Sequence, residues 1–208
     1  MNTSSTTAPP ALVIRVHLTD GSVESFIQTD DAKARKIWHA IDPARLFAPE
    51  RIVIAGDHSK SVFVCSEIVR IDFAQHAYGC WEFPAGYSDV VELSEADFRK
   101  HVHLDQPELM VKRERSTPVG NLLVSFLKLR FKDSPPMFLM VEFSVKLPAE
   151  NHSFMRFLLS KLGFLMRLSN GGIGVVNLAN LVGYTVYPGV AQIPADSWLA
   201  EPTVSPSV

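Results

Sequence analysis

The sequence predicts an α+β fold, mostly antiparallel β, built from two similar small β-barrel-like modules that arose by internal duplication. Two pairs of stretches support this prediction. Residues 13–20 (VIRVHLTD) match residues 126–133 (FLKLRFKD), apolar on apolar and basic on basic, and residues 62–69 (VFVCSEIV) match residues 175–182 (VVNLANLV). Both matches have the same offset of 113 positions. Because one offset fits both ends of the unit, the pattern indicates a repeated module of strand, strand, helix and three strands.

Length and composition allow two small domains. The chain has 208 residues, of which 47% are hydrophobic and 20% are charged, so it can bury a core. The expected organisation is a disordered tail at 1–10, module 1 at 11–78, a bridge at 79–119, module 2 at 120–190 and a proline-rich C-terminal tail at 191–208. The formal net charge of -2 excludes a global attraction for nucleic acid or for anionic membranes.

The sequence also bears on location. Residues 1–10 contain neither a basic segment nor an apolar run, and no stretch is long enough to cross a membrane. Cys65 lies in an apolar run and Cys80 lies beside Trp81, which is typical of buried free thiols in a reducing compartment. We therefore expect a cytoplasmic protein without membrane association.

Hydrophobic periodicity gives the elements of module 1. Alternation over residues 12–18 predicts a half-buried strand, and a turn at Thr19-Asp20-Gly21 leads into a hairpin partner at 22–27. We expect Thr29 to cap a helix over residues 30–41, because its hydroxyl can accept a backbone N–H that has no helical partner. Three further strands are predicted, at 51–55, 60–65 and 68–73.

Module 2 follows the same order. The predicted strands are at 122–131, 137–145, 164–168, 173–178 and 181–187, and the Asn170-Gly171 pair is the strongest hairpin signal of the chain. A helix is predicted over residues 150–162, ended by Gly163. In the bridge we expect a strand at 89–93, a short helix that Ser94 caps and that runs through Arg99, and a charged run at 111–116 that is a solvated hinge or an exposed strand end.

The side chains expected to form the core follow from these strand registers. In module 1 they are Ile14, Val16, Leu18, Ile52, Ile54, Val62, Val64, Ile68 and Ile71. In module 2 they are Leu127, Leu129, Phe131, Leu165, Val175, Leu181 and Tyr184.

Five short strands per module, in which a polar turn, an apolar strand, a one-turn break and a final strand close the unit, resemble the small β-barrels of the Sm-like and SH3-like type. The resemblance covers about two thirds of the chain and implies an architecture only. The Sm-like pattern places its helix before the first strand, whereas this chain places one after the second strand. No RNA-binding residue is therefore carried over from that pattern.

The search for chemistry in the sequence gives weak candidates. His101, His103 and Glu108 superficially resemble the metal-binding stretch of cupins, but the flanking glycines are missing and Pro107 interrupts the stretch, so no metal is predicted. His58 lies between Asp57 and Ser59 in a tight turn, where neighbouring side chains diverge and cannot form a catalytic triad. The glycine-rich run at 169–174 lacks the lysine and the helix of a phosphate loop. We predict no enzyme activity and no cofactor.

Two surfaces remain as candidate sites. Arg15, His17, Lys128 and Arg130 recur at matched positions of both modules as a basic strand face, which could contact a polyanion or a protein partner. The alternative is an ordinary solvated strand face. Residues of the predicted second helix form an apolar stripe that could serve as an interface, and they are Phe154, Phe157, Leu158 and Leu162.

The function expected from these observations is that of a non-catalytic structural or protein-interaction protein, which self-associates or belongs to an assembly. Small β-modules have strand edges that readily accept a further strand, and the second module has an apolar helix stripe to cover. Two alternatives stay open. One is a nucleic-acid-binding module that uses the repeated basic face, and the other is a small-molecule sensor with a pocket between the modules.

Overall fold

The computed structural model describes residues 11–75, 87–103, 113–117, 120–144, 161–169 and 171–187, together with Trp198 and Ala200. Within these residues the fold is α+β, with mostly antiparallel strands and two α-helices. The chain divides into two compact units. The first contains residues 1–82, 132–134 and 161–180, and the second contains residues 83–131, 135–160 and 181–208. The first unit thus takes in residues 161–180, which the sequence assigns to module 2.

The first unit is organised around an antiparallel sheet with the strand order β2-β1-β5-β11-β10. These strands are β1 (Leu12–Leu18), β2 (Val23–Gln28), β5 (Ile68–Ala74), β10 (Gly163–Arg167) and β11 (Ile173–Asn177). The hairpin of β3 (Arg51–Ala55) and β4 (Lys60–Val64) forms a separate two-stranded sheet. Its inward side chains, those of Ile52, Ile54 and Phe63, pack on the same core as Trp38 and Val175.

Helix α1 (Asp31–Ala40) follows β2 and closes one side of this core. Its N-cap is Asp30, whose carboxylate accepts the Lys33 N–H at 3.0 Å, and not Thr29 as the sequence suggested. A carboxylate at this position satisfies an unpaired N–H and also suits the positive end of the helix dipole. Ala34 and Trp38 are buried one helical turn apart.

The second unit contains a sheet with the order β12-β8-β9-β6, to which β7 adds by pairing with β8. The strands are β6 (Tyr87–Leu93), β7 (Arg113–Thr117), β8 (Gly120–Phe131), β9 (Met137–Ser144) and β12 (Leu181–Tyr187). The predicted bridge therefore contributes two strands to this sheet, and its charged run lies largely in β7.

Helix α2 (Glu95–Val102) packs on this sheet through Phe98 and Val102, which form a core cluster with Phe126 and Phe138. Ser94 caps it as predicted, accepting the Asp97 N–H at 3.1 Å. The helix runs three residues beyond the predicted end at Arg99 and stops at His103, which has a left-handed backbone with φ of 50°.

Strand registers recur between the two halves of the sequence with the offset of 113 positions. Leu12 faces Gln28 in the β1–β2 pair. The residues 113 positions later, Ser125 and Val141, likewise face each other in the β8–β9 pair. In the β1–β5 pair the register shifts between His17 and Leu18, and in the β8–β12 pair it shifts opposite Arg130 and Phe131, the matched positions.

The connection before the last strand also recurs. A 3₁₀ turn at Cys65–Glu67 precedes β5, and another at Leu178–Asn180 precedes β12. The Thr19 N–H donates to the Glu67 carbonyl, and the Lys132 N–H donates to the Asn180 carbonyl, each at 3.0 Å. The donors of these two bonds lie 113 positions apart in the chain, and so do their acceptors.

The predicted barrel is not found, because no closed barrel forms among the described strands. The reason lies in the connection between β2 and β3. Helix α1 and a following loop separate these strands, and the β3–β4 hairpin pairs only within itself in the described part of the chain. The sheet of the first unit instead extends through β11 and β10.

Candidate assembly surfaces

The contact of β11 with β5 is the most completely buried strand pair of the first unit. All five residues of β11 are buried. Ile173 faces Phe73, Gly174 faces Asp72, Val175 faces Ile71 and Val176 faces Arg70 in an antiparallel register. Since β10 pairs with the other edge of β11, the second-half hairpin extends a sheet whose β1, β2 and β5 come from the first half.

Two asparagines fix this hairpin to the turn before β5. The Asn177 side-chain amide is only 1% exposed, and it donates to the carbonyls of Cys65 and Ile68 at 2.8 and 2.9 Å. Its oxygen accepts the Ala179 N–H at 3.0 Å. The Asn180 amide donates to the Ser66 and Ile68 carbonyls at 2.7 and 3.1 Å. Buried backbone carbonyls are thus satisfied by side chains from the other half of the sequence.

A glycine lets β11 approach β5 closely. A Cβ on Gly174 would lie 2.7 Å from the Met166 side-chain methyl and 3.1 Å from Asp72 Oδ1. The absence of a side chain leaves this space to the Asp72 carboxylate, which is buried. The carboxylate lies 2.7 Å from His17 Nε2 and 3.3 Å from Arg70 Nε. A buried carboxylate needs such partners, so this cluster serves the packing of the sheet.

The four basic residues of the predicted strand face have different surroundings. Arg15 is half-buried. His17 contacts Asp72, as described above. Lys128 is half-buried, with its ammonium 5.9 Å from the centroid of the Phe138 ring. Arg130 is exposed, and its guanidinium lies over Gly183, where a Cβ would come within 3.2 Å of it.

The β3–β4 hairpin has the opposite exposure from β10–β11. β4 lies 113 positions before β11, residue for residue, but its outward side chains face solvent. Val62 is 49% exposed and Val64 is 42% exposed, and Val53 on β3 is 52% exposed. Among the described residues β4 pairs only with β3, so its other edge carries no strand. Val62 and Val64 were expected in the core, and this prediction was wrong.

Strand β12 presents a second edge of this kind. It pairs with β8 on one side, and no described strand pairs with its other side. Val182 is 71% exposed and Tyr184 is 42% exposed. Tyr184 was also predicted to be core. The structure leaves it exposed at this edge, directly opposite Leu129, whereas its predicted companions Leu127, Leu129 and Phe131 are buried.

The predicted apolar helix stripe is described only at its end. Phe154, Phe157 and Leu158 lie outside the described residues. Leu162 is exposed and lies in a bend, not in a helix. The prediction of a helix through this residue was wrong, because the Leu162 carbonyl already accepts the Leu178 N–H at 3.0 Å, beside the β10–β11 ladder.

His101 and His103, which resemble part of a metal site in the sequence, have different surroundings in the structure. The ring of His101 stacks on that of Phe126 with centroids 5.3 Å apart, and His103 ends α2. Glu108 lies outside the described residues. In the part of the chain that the structure describes, no three His, Cys, Asp or Glu side chains gather as metal ligands would. His58 lies in the turn between β3 and β4.

Comparison with known proteins gives no family. A scan against protein-family models finds no match, and searches of curated proteins and of solved structures find none either. Among the described residues, no helix has the length and apolar character that a membrane span requires.

Sequence reasoning missed both edges because it assigned their exposed residues to the core. The strand predicted at 60–65 is apolar on both faces, with Val62 and Val64 on one and Phe63 and Cys65 on the other, so alternation cannot decide which face is inward. A difference between the two halves of the sequence could have indicated that β4 and β11 have different surroundings. Where the second half has Asn177, the first half has Val64 at the matched position.

Proposed function

We propose that this chain is a non-catalytic interaction protein of two duplicated modules, which works by self-association. The observation that carries the proposal is the contrast between two matched hairpins. β10–β11 is buried against β5, whereas β3–β4 presents an exposed apolar face and an edge without a described strand partner. Apolar strand edges that stay exposed promote uncontrolled pairing, so proteins normally cover them.

The duplication is supported by details that hydrophobic patterning alone does not require. The β1–β5 and β8–β12 pairs share their register and the position of its shift. Each last strand follows a 3₁₀ turn, and each turn accepts a backbone bond from the matched residue, Thr19 or Lys132. Coincident patterning would give similar strands, but it would not place the same irregularity at matched positions.

The charged contacts of the described residues fit a structural role. His17 and Arg70 both lie beside the buried Asp72 carboxylate, where they offset the cost of burying its charge. The proposed location is the cytoplasm, which suits the buried free thiol of Cys65.

The test is the mass of the full chain in solution, measured by light scattering from micromolar to about 100 µM. We expect a mass that exceeds the 23.1 kDa of a single chain and rises with concentration. A constant mass of 23.1 kDa over this range would contradict self-association.

A charge-reversal variant separates this proposal from polyanion binding. Replacing Lys128 and Arg130 with glutamate leaves the two strand edges in place, so we expect the mass to be unchanged. Salt-dependent binding of single-stranded RNA or DNA that this variant abolishes would favour the nucleic-acid alternative instead.

A further inference from the structure

We infer that β4 of one chain pairs antiparallel with β12 of a second copy, in the register that β11 adopts with β5 inside the chain. The inference rests on the proposed function and specifies its interface. β4 is matched to β11 and β12 is matched to β5, each by the offset of 113 positions. The chain therefore contains one example of the contact, between its own halves, and among the described strands the matching edges of β4 and β12 have no strand partner.

The register of β11 with β5 inside the chain specifies, residue by residue, the register inferred for β4 with β12 of a second copy. Inside the chain Ile173 faces Phe73 and Val175 faces Ile71. Transferring this register by the same offset places Lys60 opposite Val186 of the second copy, and Val62 opposite Tyr184. Continuing by two residues places Val64 opposite Val182.

The exposed apolar residues of the two edges match in this register. Val62 and Tyr184, which are 49% and 42% exposed, become directly opposed, as do Val64 and Val182, at 42% and 71%. Opposed β-branched and aromatic side chains stabilise antiparallel pairs, and strand addition also pairs the backbone groups of both edges.

The same comparison predicts that the contact between copies is weaker than the internal one. Asn177 donates two buried hydrogen bonds to the turn before β5. The matched residue of β4 is Val64, which has no side-chain donor. Without these bonds the second copy binds reversibly, whereas β10–β11 is held permanently within its own chain.

Each copy offers both β4 and β12, so two copies can form the contact reciprocally in a two-fold dimer, or successive copies can repeat it in a ring or a filament. In either arrangement the inferred occupant of both edges is another copy of this chain.

The test is a disulfide between two different variants, each of which carries one added exposed cysteine. One chain carries Val62→Cys and the other carries Tyr184→Cys, both with Cys80→Ser and with the buried Cys65 retained. Directly opposed residues of an antiparallel pair have Cα atoms about 4.5–5.5 Å apart, which suits a disulfide. Co-expressed and mildly oxidised, the two variants should form a covalent dimer that contains one chain of each kind.

A matched control uses the same hairpin. Val53→Cys lies on β3 with similar exposure, 52% against 49% for Val62, but outside the inferred pair. Paired with Tyr184→Cys it should give little covalent dimer, and each variant alone should give little as well. All these positions are exposed, and unchanged thermal unfolding would verify that the variants fold.

The outcomes separate this inference from the proposed function. A mass above that of one chain without the Val62–Tyr184 disulfide would overturn the inferred interface and leave self-association standing. A single-chain mass without the disulfide would overturn both. Equal disulfide yields for the Val53 control would also overturn the interface.

A gain-of-association variant gives a second, independent readout. Val64→Asn restores the donor that Asn177 provides inside the chain, and the neighbour's Leu178 and Leu181 carbonyls occupy the positions matched to those of Cys65 and Ile68. We expect association to tighten about tenfold, the scale of one to two added hydrogen bonds. Unchanged or weaker association would contradict the inferred register.

Discussion

The two hairpins β3–β4 and β10–β11 occupy matched positions in the sequence, yet one is largely exposed and the other is almost entirely buried. The difference lies in what adjoins the second strand. β11 pairs with β5, and Gly174 allows a close approach to Asp72. β4 has no described strand at its corresponding edge, and it carries Ser61 at the position of Gly174. Two hairpins with the same hydrophobic pattern can therefore differ in burial, because burial depends on whether another strand pairs with their free edge.

Among the substitutions that test the difference between the two hairpins, Asn177→Ala should have the largest effect on the free energy of unfolding. This change removes three hydrogen bonds: the two that the Asn177 amide donates to the Cys65 and Ile68 carbonyls, and the one that its oxygen accepts from the Ala179 N–H. We expect the free energy of unfolding of the full chain to fall by roughly 2–5 kcal/mol, measured by urea denaturation.

Asn180→Ala is the matched control for this prediction. Asn180 is half-exposed, so water can replace part of its bonding, and its loss should cost clearly less. Equal losses for the two asparagines would show that burial of the β10–β11 hairpin does not depend on the Asn177 bonds.

The second prediction compares the valines at matched positions of β4 and β11. Val175 is fully buried opposite Ile71, so Val175→Ala should lower the free energy of unfolding by about 1–3 kcal/mol through lost burial and a cavity. Val62 is half-exposed, and Val62→Ala should change it by less than about 0.5 kcal/mol at dilutions where the chain is monomeric.

Concentration sharpens this second comparison. If Val62 lies in a contact between copies, its truncation should become costly as the protein concentration rises, whereas the Val175 effect should stay constant. A large cost for Val62→Ala at every dilution would mean that this side chain is buried within one chain.

Most strands could be predicted from the sequence, but the strands that pair with them could not. Strands β3 and β12 have the predicted bounds, because their alternation lies between clear turns. The cap of α1 was misplaced by one residue, since Thr29 and Asp30 are both good N-caps and the sequence does not rank them. The contact of His17 with Asp72 joins residues far apart in the chain, and periodicity carries no information on such pairing.

The two edges escaped prediction for a related reason. A strand with apolar residues on both faces, as in β4, is typical of a core strand and equally of a strand that a neighbouring chain covers. Val62, Val64 and Tyr184, the predicted core residues that proved exposed, are also the ones that the inferred interface brings together. Periodicity identifies apolar residues, but it carries no information on whether the same chain or a second copy covers them.

The smallest effect concerns Cys65, whose backbone carbonyl accepts the Asn177 amide. Burial raises the pKa of the Cys65 thiol above its ordinary value, because a thiolate is poorly solvated there. The raised pKa means that the folded state favours the neutral thiol. This contribution to stability is therefore fully present below the ordinary thiol pKa and is lost as the pH rises through the raised folded value.

In a Cys80→Ser background, the measurable consequence is slow alkylation of Cys65 at neutral pH, followed by faster labelling as the hairpin is loosened. Asn177→Ala should speed labelling, because it frees the turn that contains Cys65, whereas Val62→Ala should not. Equal labelling rates in the two variants would show that the buried hairpin does not protect the thiol. The labelling rate of Cys65 thus depends on the buried hairpin β10–β11 and not on the exposed hairpin β3–β4. This result is expected if β11 protects the thiol and the outward side chains of β4 do not.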